Sequence, residues 1–460
     1  MRRLCFKFCA CLLAVLMAFS AAACDFISKD SDTDSDSSVV QTQDTPAVQT
    51  DTEQEVPDTD IGEHKDYTEE DAEGFMSGVL IVNQDGHYRA MDMFVGSSAE
   101  YYITQLNYIK DSVDYRVNVY SMVVPTACEF YCPKNFQENI TSQHDVILEI
   151  GEGLVNVKNI DPWETLTNHN AENIFSRTDH HWQALGAYYA CKVFAKQAGV
   201  EYPDISSYQR VDMENYVGSM TAFAYYDGAA ALESDPETFT YYKPTNKYTT
   251  AYYGQDFEFI TNGELITQND YEPYMSFIQG DSYCARITTD VKNGRKLLMV
   301  KDSFGNAAVP FLTSSFEEIV VVDMRYLEVN LLYLVDELEI TDLLFLMNTF
   351  SAVGTNADNL ETLCTNPNVG EIEDISSILE ESSEENSEES SEESSDLEGI
   401  DTENREYYGS EYYSEENPYV DESAAYVESG DVTDYNNGGD DYYNDYYGDD
   451  SYGDDTYYYE

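Results

Sequence analysis

Two short segments, far apart in the chain, contain the residue types of a serine-dependent acyl-transfer site. Residues 178–182 read TDHHW, so Asp179 stands two positions before His181. At that spacing a carboxylate can hold an imidazole in one tautomer and stabilise its protonated form. Residues 301–306 read KDSFGN and place Ser303 in a tight turn between a predicted strand and a predicted helix. A serine in such a turn can act as a nucleophile, and the first backbone N–H groups of the helix can stabilise an oxyanion.

Three further residues are predicted to lie on the oxyanion or substrate side of this site. Gly305 belongs to the serine turn, and its backbone N–H is one of the expected oxyanion donors. Asn348 ends the last predicted strand, where its side-chain amide could donate a second hydrogen bond to the oxyanion. Arg325 follows the end of another predicted strand and could contact the substrate.

The same residue types also occur in helix caps and in metal sites. Asp179 and Ser303 are both common residue types at helix N-termini, where they cap backbone N–H groups. Ser282, within a GDS sequence like that of lipase-like hydrolases, is only the fallback nucleophile, because no clear helix follows to orient it. A metal-dependent phosphoesterase using Asp179, His180 and His181 would need further Asp and His ligands, and the chain has only 6 histidines. The sequence therefore predicts neither a metal nor another cofactor.

The elements that must position these residues are those of an α/β fold. Apolar runs alternate with helical patterns towards the C-terminus, and this βαβαβ arrangement is typical of a mainly parallel sheet. Working groups gather at the carboxyl ends of such strands, and here those ends carry polar residues at 301–303, 323–325 and 348. The predicted strands are 78–82, 117–124, 154–160, 257–260, 296–300, 318–323 and 342–347, and the predicted helices are 98–113, 182–198, 305–315 and 329–337.

The folded domain is predicted to span residues 73–370. Within it, residues 200–290 contain many tyrosines and few long apolar runs, so they are interpreted as an irregular insertion or lid. No chemistry is assigned to that segment.

The N-terminus is typical of an exported lipoprotein. Basic residues precede an apolar run at 8–19, which is too short to span a membrane, and small residues follow at 21–23. Cys24 then stands where a lipoprotein cysteine is acylated, so residues 1–23 are predicted to be a signal peptide, with plain secretion as the alternative. Residues 24–72 are polar and acidic and are predicted to form a disordered linker. The expected location is the outer face of the cell membrane.

The C-terminal segment is strongly acidic. The chain has a formal net charge of −66, and residues 371–460 contain 32 Asp and Glu residues against one basic residue, Arg405. The like charges of such a segment repel one another, so it is predicted to be a disordered tail. The tail is interpreted either as merely solubilising or as a surface-exposed adhesive or cation-binding segment. The sequence has no basic patch, which argues against nucleic acid as a partner.

The cysteines do not indicate a disulfide framework. Five cysteines remain after the predicted signal peptide and Cys24, and an odd number leaves the pairing open.

Several blocks resemble the bacterial DHHW protein family. The resemblance rests on RTDHHWQALGAYYACKVF at 177–194, KLLMVKDSFGNAAVPFL at 296–312, EEIVVVDMRYL at 317–327 and YSMVVPTACEFY at 120–131. The family is similar in turn to the SGNH-hydrolase-like proteins of alginate O-acetylation. This resemblance implies an SGNH-hydrolase-like (flavodoxin-like) three-layer α/β domain.

The resemblance also implies a catalytic triad. Carried over by motif, the triad would be Asp179, His181 and Ser303, with Trp182 completing the signature and His180 in its variable position. The expected function is a surface O-acyltransferase or acyl esterase acting on extracellular or cell-wall glycan. By analogy, a membrane acyl-exporting protein would supply the acyl group. The alternative is a non-catalytic surface or adhesion lipoprotein on a hydrolase-like scaffold.

Overall fold

The structure, a computed structural model, describes residues 62–96, 98–281, 283–370 and residue 372. The predicted signal peptide, Cys24, most of the predicted linker, nearly all of the predicted tail and the fallback nucleophile Ser282 lie outside the described residues. Among the helices within the described ranges, none has the length and apolar character needed to cross a bilayer.

The strands of the described part belong to three sheets. They are β1 (Glu73–Ser77), β2 (Val79–Gln84), β3 (His87–Met91), β4 (Asn118–Val124), β5 (Lys158–Asn159), β6 (Gln209–Tyr216), β7 (Glu237–Lys243), β8 (Tyr248–Tyr253), β9 (Phe259–Gly263), β10 (Cys284–Thr289), β11 (Lys296–Lys301), β12 (Glu318–Asp323) and β13 (Asp342–Asn348).

The α-helices of the described part are mostly short. They are α1 (Glu100–Ser112), α2 (Ala127–Tyr131), α3 (Gln143–Gly153), α4 (Trp163–Asn168), α5 (Ala184–Ala198), α6 (Met220–Phe223), α7 (Tyr226–Glu233), α8 (Val309–Leu312), α9 (Leu331–Glu337), α10 (Thr349–Val353) and α11 (Asn359–Thr365). Single 3₁₀ turns occur at Lys134–Phe136, Ile205–Ser207, Pro273–Ser276, Ser303–Ala307 and Thr355–Asp358.

The central sheet has eight strands in the order β5-β4-β13-β11-β12-β10-β8-β9. Neighbouring strands run parallel from β5 to β12, which confirms the predicted α/β class and mainly parallel sheet. Beyond β12, strands β10, β8 and β9 pair antiparallel. The parallel strands therefore bring their carboxyl ends to one edge, where the predicted polar residues lie.

The apolar runs form strands because both faces of the sheet are covered. Successive residues of a strand point to opposite faces, and in β11 Leu297 and Met299 join one hydrophobic cluster while Leu298 and Val300 join another. Helix α5 contributes to the first cluster, and helices α1, α3 and α9 contribute to the second. Continuous apolar sequences such as LLMV are the expected pattern for strands buried on both faces.

Two predicted strands differ most from the structure, and a third, predicted at 257–260, forms instead at 259–263 as β9. The run predicted at 78–82 forms β2, but β2 belongs to a separate antiparallel sheet with β1 and β3, because Gly78 at φ +77° and the turn at Asp85 and Gly86 reverse the chain between these strands. The run predicted at 154–160 is reduced to the two residues of β5.

The linker prediction is wrong for its last residues. The described chain begins at Gly62, and residues before 73 contact the domain. The backbone N–H of Lys65 donates to Asn170 Oδ1 at 2.8 Å, and the Tyr67 ring packs on Tyr131 with centroids 5.3 Å apart. These contacts extend the packed region at least to residue 65.

The segment 200–290 is more regular than its composition predicts. It supplies the β6–β7 pair and three strands of the central sheet, so much of it is part of the fold rather than an irregular insertion. Its tyrosines are largely packing residues, with Tyr241, Tyr252 and Tyr253 almost completely buried.

The five cysteines of the described part are buried free thiols. They are Cys128, Cys132, Cys191, Cys284 and Cys364.

Candidate active site

The predicted catalytic residues lie on two loops that meet at the carboxyl end of β11. Asp179 and His181 precede α5, whose N-cap is Gln183, so Asp179 does not cap that helix. Ser303 begins the turn after β11, and the capping side chain there is Asp302, which accepts from the Phe304 N–H. Helix capping therefore accounts for neither Asp179 nor Ser303.

The three side chains form a continuous chain of hydrogen bonds. His181 Nε2 lies 2.8 Å from Ser303 Oγ, and His181 Nδ1 lies 2.7 Å from Asp179 Oδ1. Both distances are within hydrogen-bond range. The three residues are nearly buried, with exposed fractions of 5%, 8% and 6% for Asp179, His181 and Ser303. This Asp–His–Ser order can support nucleophilic acyl transfer.

Asp179 is held by both of its carboxylate oxygens. Oδ1 also accepts the His181 backbone N–H at 2.9 Å, while Oδ2 accepts the Tyr216 hydroxyl at 2.7 Å and the Ser219 N–H at 2.9 Å. Burial by itself raises the pKa of Asp179, but the charge and hydrogen bond of His181 and the other donors hold the pKa well below its usual range. An ionised Asp179 favours the His181 tautomer with a proton on Nδ1, which leaves Nε2 to accept from Ser303.

His181 is enclosed by aromatic rings. Its imidazole stacks on the Tyr274 ring with centroids 3.7 Å apart and an angle of 5°, and the His180 ring lies 3.8 Å away on centroids. Burial and the charge of His180 lower the pKa of His181, against the opposing influence of Asp179. A neutral imidazole at physiological pH is the form that can act as a general base.

A buried carboxylate organises the loop that carries Asp179 and His181. Glu237, at the start of β7, accepts the Ser176 hydroxyl at 2.6 Å and both the N–H and the hydroxyl of Thr178 at 2.7 and 2.6 Å. It also accepts the Arg177 N–H at 2.9 Å. The loop is therefore fixed by bonds to one side chain, without being part of a helix or strand.

The serine turn is fixed from two sides. The Trp182 indole N–H donates to the Phe304 carbonyl at 2.9 Å, and the Tyr274 hydroxyl donates to the Ser303 carbonyl at 2.9 Å. Trp182 is completely buried, so its place in the motif is to join the histidine loop to the serine turn. Tyr274 joins the same turn to His181, because its hydroxyl bonds the turn while its ring stacks on the imidazole.

Asp302 ties the serine turn to the neighbouring strand. Its Oδ1 accepts the Phe304 N–H at 2.9 Å, and its Oδ2 accepts the Asn348 N–H at 2.9 Å. Burial raises the pKa of Asp302 to about 6, although these hydrogen bonds act in the opposite direction.

Gly305 and Asn348 both contact this turn, and part of their hydrogen-bonding capacity is used there. The Gly305 N–H donates to the Asp302 carbonyl at 3.0 Å, so the predicted oxyanion donor is engaged within the turn. A Cβ on Gly305 would lie 2.4 Å from Lys301 Cβ, so a larger residue at this position would clash with the Lys301 side chain. Asn348 Oδ1 accepts the Ser351 N–H at 3.0 Å as the cap of α10, which leaves its Nδ2 for the predicted oxyanion contact.

Arg325 belongs to a charge cluster rather than to the wall of the pocket. Its guanidinium donates to both carboxylate oxygens of Asp323 at 2.9 Å and lies 3.0 Å from Asp281 Oδ2. Lys301 pairs with the same two carboxylates, at 2.6 Å to Asp323 and 3.2 Å to Asp281. Burial raises the pKa of Asp281, but Lys301 and Arg325 reverse the shift and lower it. The cluster balances two positive and two negative charges next to the serine turn.

An open pocket of about 330 Å³ lies beside the His181 imidazole. Its wall includes Asp179, His181, Tyr216, Tyr274 and Met275. Tyr271 and Glu272 stand at its exposed rim. A small acyl group could lie against the aromatic side chains, while a larger acceptor would contact the rim.

The residue types of a metal site occur in the same place. In the part of the chain that the structure describes, the one cluster of three or more metal-ligand side chains is Asp179, His180 and His181. Asp179 and His181 are already bonded to each other and to Tyr216 and Ser303, and His180 Nδ1 lies 2.6 Å from Ser219 Oγ. A metal there would have to displace these bonds, and the additional ligands needed for phosphoesterase chemistry do not join the cluster.

Sequence reasoning missed the residues that support the triad. Tyr216, Ser219, Tyr274 and Asp281 all lie within 200–290, the segment to which no chemistry was assigned. No local pattern distinguishes these residues from the other tyrosines and acids of that segment. Asp281 alone belongs to a recognisable motif, the GDS sequence, and that motif suggested a role for Ser282 rather than for Asp281.

Comparison with known proteins places this site in a family. A family model described as DHHW protein matches residues 25–322. A solved DHHW family protein from Eubacterium siraeum is 40% identical, with a match covering 65% of this chain and 100% of that chain at a TM-score of 0.62. No curated protein is significantly similar to the chain.

One more distant structure shares the fold, and another is a weaker match. Bacillus cereus PatB1 with a sulfonyl adduct is 18% identical, covering 62% of this chain and 99% of that chain at a TM-score of 0.50. The O-acetyltransferase domain of Pseudomonas putida AlgJ is 13% identical, covering 64% of this chain and 99% of that chain at a TM-score of 0.36.

Proposed function

The chain belongs to the DHHW protein family, and from that premise we propose that it is an acyl esterase or O-acyltransferase that uses Ser303, His181 and Asp179. Two contacts of the His181 ring support the proposal most directly: Nε2 lies 2.8 Å from Ser303 Oγ, and Nδ1 lies 2.7 Å from Asp179 Oδ1. A non-catalytic surface protein would not need these groups to be in contact, whereas acyl transfer requires it.

The chemistry follows from the positions of the atoms. Ser303 Oγ forms a bond to the acyl carbon while its proton passes to His181 Nε2, and the leaving alkoxide takes that proton as its bond to the acyl carbon breaks. Water or a sugar hydroxyl then attacks the acyl-serine, gives its proton to His181 and regenerates the Ser303 hydroxyl. Attack by water makes the protein an esterase, and attack by a sugar hydroxyl makes it a transferase.

The oxyanion would be stabilised at the serine turn. The Phe304 and Gly305 N–H groups are engaged with Asp302, so we assign the first donor to the Ser303 N–H and the second to Asn348 Nδ2. Trp182 and Tyr274 fix the turn rather than contact the substrate.

The biological setting is part of the same proposal. An acyl-bearing or acyl-accepting extracellular glycan is the proposed partner, because the family resembles proteins of polysaccharide O-acetylation. Export, anchoring through Cys24 and acyl supply by a membrane acyl-exporting protein extend the proposal beyond the residues that the structure describes.

Hydrolysis of p-nitrophenyl acetate by the full chain tests the proposal. We expect Ser303→Ala and His181→Gln to reduce kcat/KM by about a thousandfold or more, while Ser112→Ala, at the exposed end of α1, keeps wild-type activity. Ser282→Ala discriminates between the two serines. Loss of activity in Ser282→Ala but not in Ser303→Ala would identify Ser282 as the nucleophile. Equal activity in all variants would contradict the proposed function.

A further inference from the structure

The rim of the pocket is built by the loop that also supports the catalytic imidazole. Tyr274 stacks on His181 and donates to the Ser303 carbonyl, and three residues earlier Tyr271 is 96% exposed. Asn269 Oδ1 accepts the Tyr271 N–H at 3.0 Å and the Glu272 N–H at 2.9 Å. The backbone that carries two exposed side chains, one aromatic and one carboxylate, is thus fixed at the entrance.

Three basic residues of the segments around the proposed catalytic residues are paired with carboxylates. Arg177 Nη1 lies 2.7 Å from Asp235 Oδ2, and Lys301 Nζ lies 2.6 Å from Asp323 Oδ2. Arg325 is paired with Asp323 and Asp281. Among the described residues that line the pocket, none is Lys or Arg.

With Glu272 at the rim and no Lys or Arg among the described lining residues, the entrance is unfavourable for an anion. A substrate carboxylate or phosphate at the rim would meet the Glu272 carboxylate, and no Lys or Arg among the described lining residues would compensate. The lining histidines, His180 and His181, are positive only when they are protonated. A neutral sugar instead offers hydroxyls that can donate to a carboxylate and a ring face that can pack on an exposed aromatic side chain.

We propose that the site acts on esters of uncharged sugars and discriminates against uronate- or phosphate-bearing ones, with Glu272 and Tyr271 as the specificity-determining residues. This inference rests on the proposed function. Glu272 accepts a hydrogen bond from a sugar hydroxyl, and the ring of Tyr271 packs against the sugar.

A matched pair of substrates tests the inference with the full chain. The first is a mono-O-acetylated methyl glucoside, and the second is the corresponding glucuronoside, which differs by a carboxylate at C6. We expect kcat/KM to favour the glucoside by about tenfold or more. Glu272→Gln should reduce this ratio, and Glu272→Lys should bring it to one or invert it. Glu152→Lys makes the same change of charge on an exposed position of α3 and should leave the ratio unchanged.

The aromatic contact is tested through KM. Tyr271→Ala should raise KM for the acetylated glucoside severalfold, and Tyr271→Phe, which keeps the ring, should restore it. An equal KM in Tyr271→Ala and wild type would remove Tyr271 from the inference.

Turnover of p-nitrophenyl acetate separates the two levels of the proposal. If that ester is hydrolysed but the sugar esters are used equally, the glucuronoside is preferred, or neither is used, the specificity inference is overturned and the proposed function stands. If p-nitrophenyl acetate is not hydrolysed, the proposed function fails and the inference fails with it.

Discussion

At His181, opposing influences set the basicity of the ring. Burial and the neighbouring His180 lower its pKa, while Asp179 raises it, and the net shift is downward from 6.5. A general base must be unprotonated, so the proposed activity is expected to rise as pH increases through this pKa. A base of lowered pKa is more available at neutral pH than an ordinary imidazole.

The pH dependence of p-nitrophenyl acetate hydrolysis checks this environment. We predict that kcat/KM rises with an apparent pKa below 6.5 and is level above it. His180→Gln removes a neighbouring charge and should move the apparent pKa upwards. An ascending limb centred above 6.5 in the wild type, or no shift in His180→Gln, would contradict the contacts described for the ring.

The residue types of the triad could be predicted from the sequence, but not their support. The two-residue spacing of Asp179 and His181 is local, and a resemblance to a family connected them with Ser303 across the chain. Tyr216 reaches Asp179 from 37 residues away, and Tyr274 reaches the serine turn from 29 residues away. Neither contact leaves a periodic pattern, because each depends on how separate loops pack.

At the scale of elements, the loop after β6 must pass very close to Asp179. A Cβ on Gly218 would lie 2.4 Å from Asp179 Cβ and 2.6 Å from Oδ2. The next residue, Ser219, donates its N–H to that oxygen. Glycine therefore allows the loop to approach and bind the carboxylate.

Gly218→Ala should displace Asp179 and misalign His181. We predict a reduction of about tenfold to a hundredfold in kcat/KM for p-nitrophenyl acetate. Gly370→Ala, where a Cβ has no neighbour within 4 Å, is the control and should retain full activity. Equal activity of the two variants would mean that the close approach to Asp179 does not govern the triad.

The junction of β11 and β13 carries a titratable group, Asp302. Its pKa is raised from 3.8 to about 6 in the folded chain, so the folded state binds its proton more tightly than the unfolded state does. Its contribution to stability is therefore fully present below 3.8 and is lost as pH rises through about 6.

Comparison with Asp302→Asn isolates this contribution, because the other titrating groups are common to both proteins. We predict that the free energy of unfolding of the wild type, relative to Asp302→Asn, increases by about 2 kcal/mol from pH 7 to pH 4. Urea titrations at several pH values measure the difference. A difference that stays constant with pH would show that Asp302 does not titrate in this window.

The central parallel strands of the eight-stranded sheet could be predicted from the sequence, but the antiparallel strands at one edge of that sheet could not. Residues 297–300, 319–322 and 343–347 are continuous apolar runs, which strands buried on both faces require. Strands β8 and β10 lack a continuous apolar run, because β8 mixes threonines with tyrosines and β10 contains an arginine and two threonines. They form strands because an adjacent sheet edge supplies hydrogen-bond partners.

For the whole molecule, the dominant physical property is the charge of −66. Acidic groups that lie within about one Debye length of the site, roughly 10 Å at 0.1 M salt, repel an anionic substrate, and more distant charges are screened. Neutral substrates are not subject to this repulsion. The charge thus acts in the same direction as Glu272 at the rim of the pocket.

Salt dependence separates this long-range effect from local contacts. We predict that kcat/KM for an anionic aryl acetate, 4-acetoxybenzoate, rises as salt increases from about 20 mM to about 300 mM, because screening weakens repulsion. The value for p-nitrophenyl acetate should stay nearly constant. The same response for both esters would assign the salt effect to something other than charge.

The nucleophile itself can be identified by covalent labelling with phenylmethanesulfonyl fluoride, followed by intact-mass analysis and peptide mapping. We predict one adduct per chain, on Ser303, with no labelling in Ser303→Ala and labelling at least about a hundredfold slower in His181→Gln, where the base is absent. An adduct on Ser282, or an unlabelled Ser303 in protein that hydrolyses p-nitrophenyl acetate, would contradict the assignment of Ser303, His181 and Asp179 as the catalytic triad.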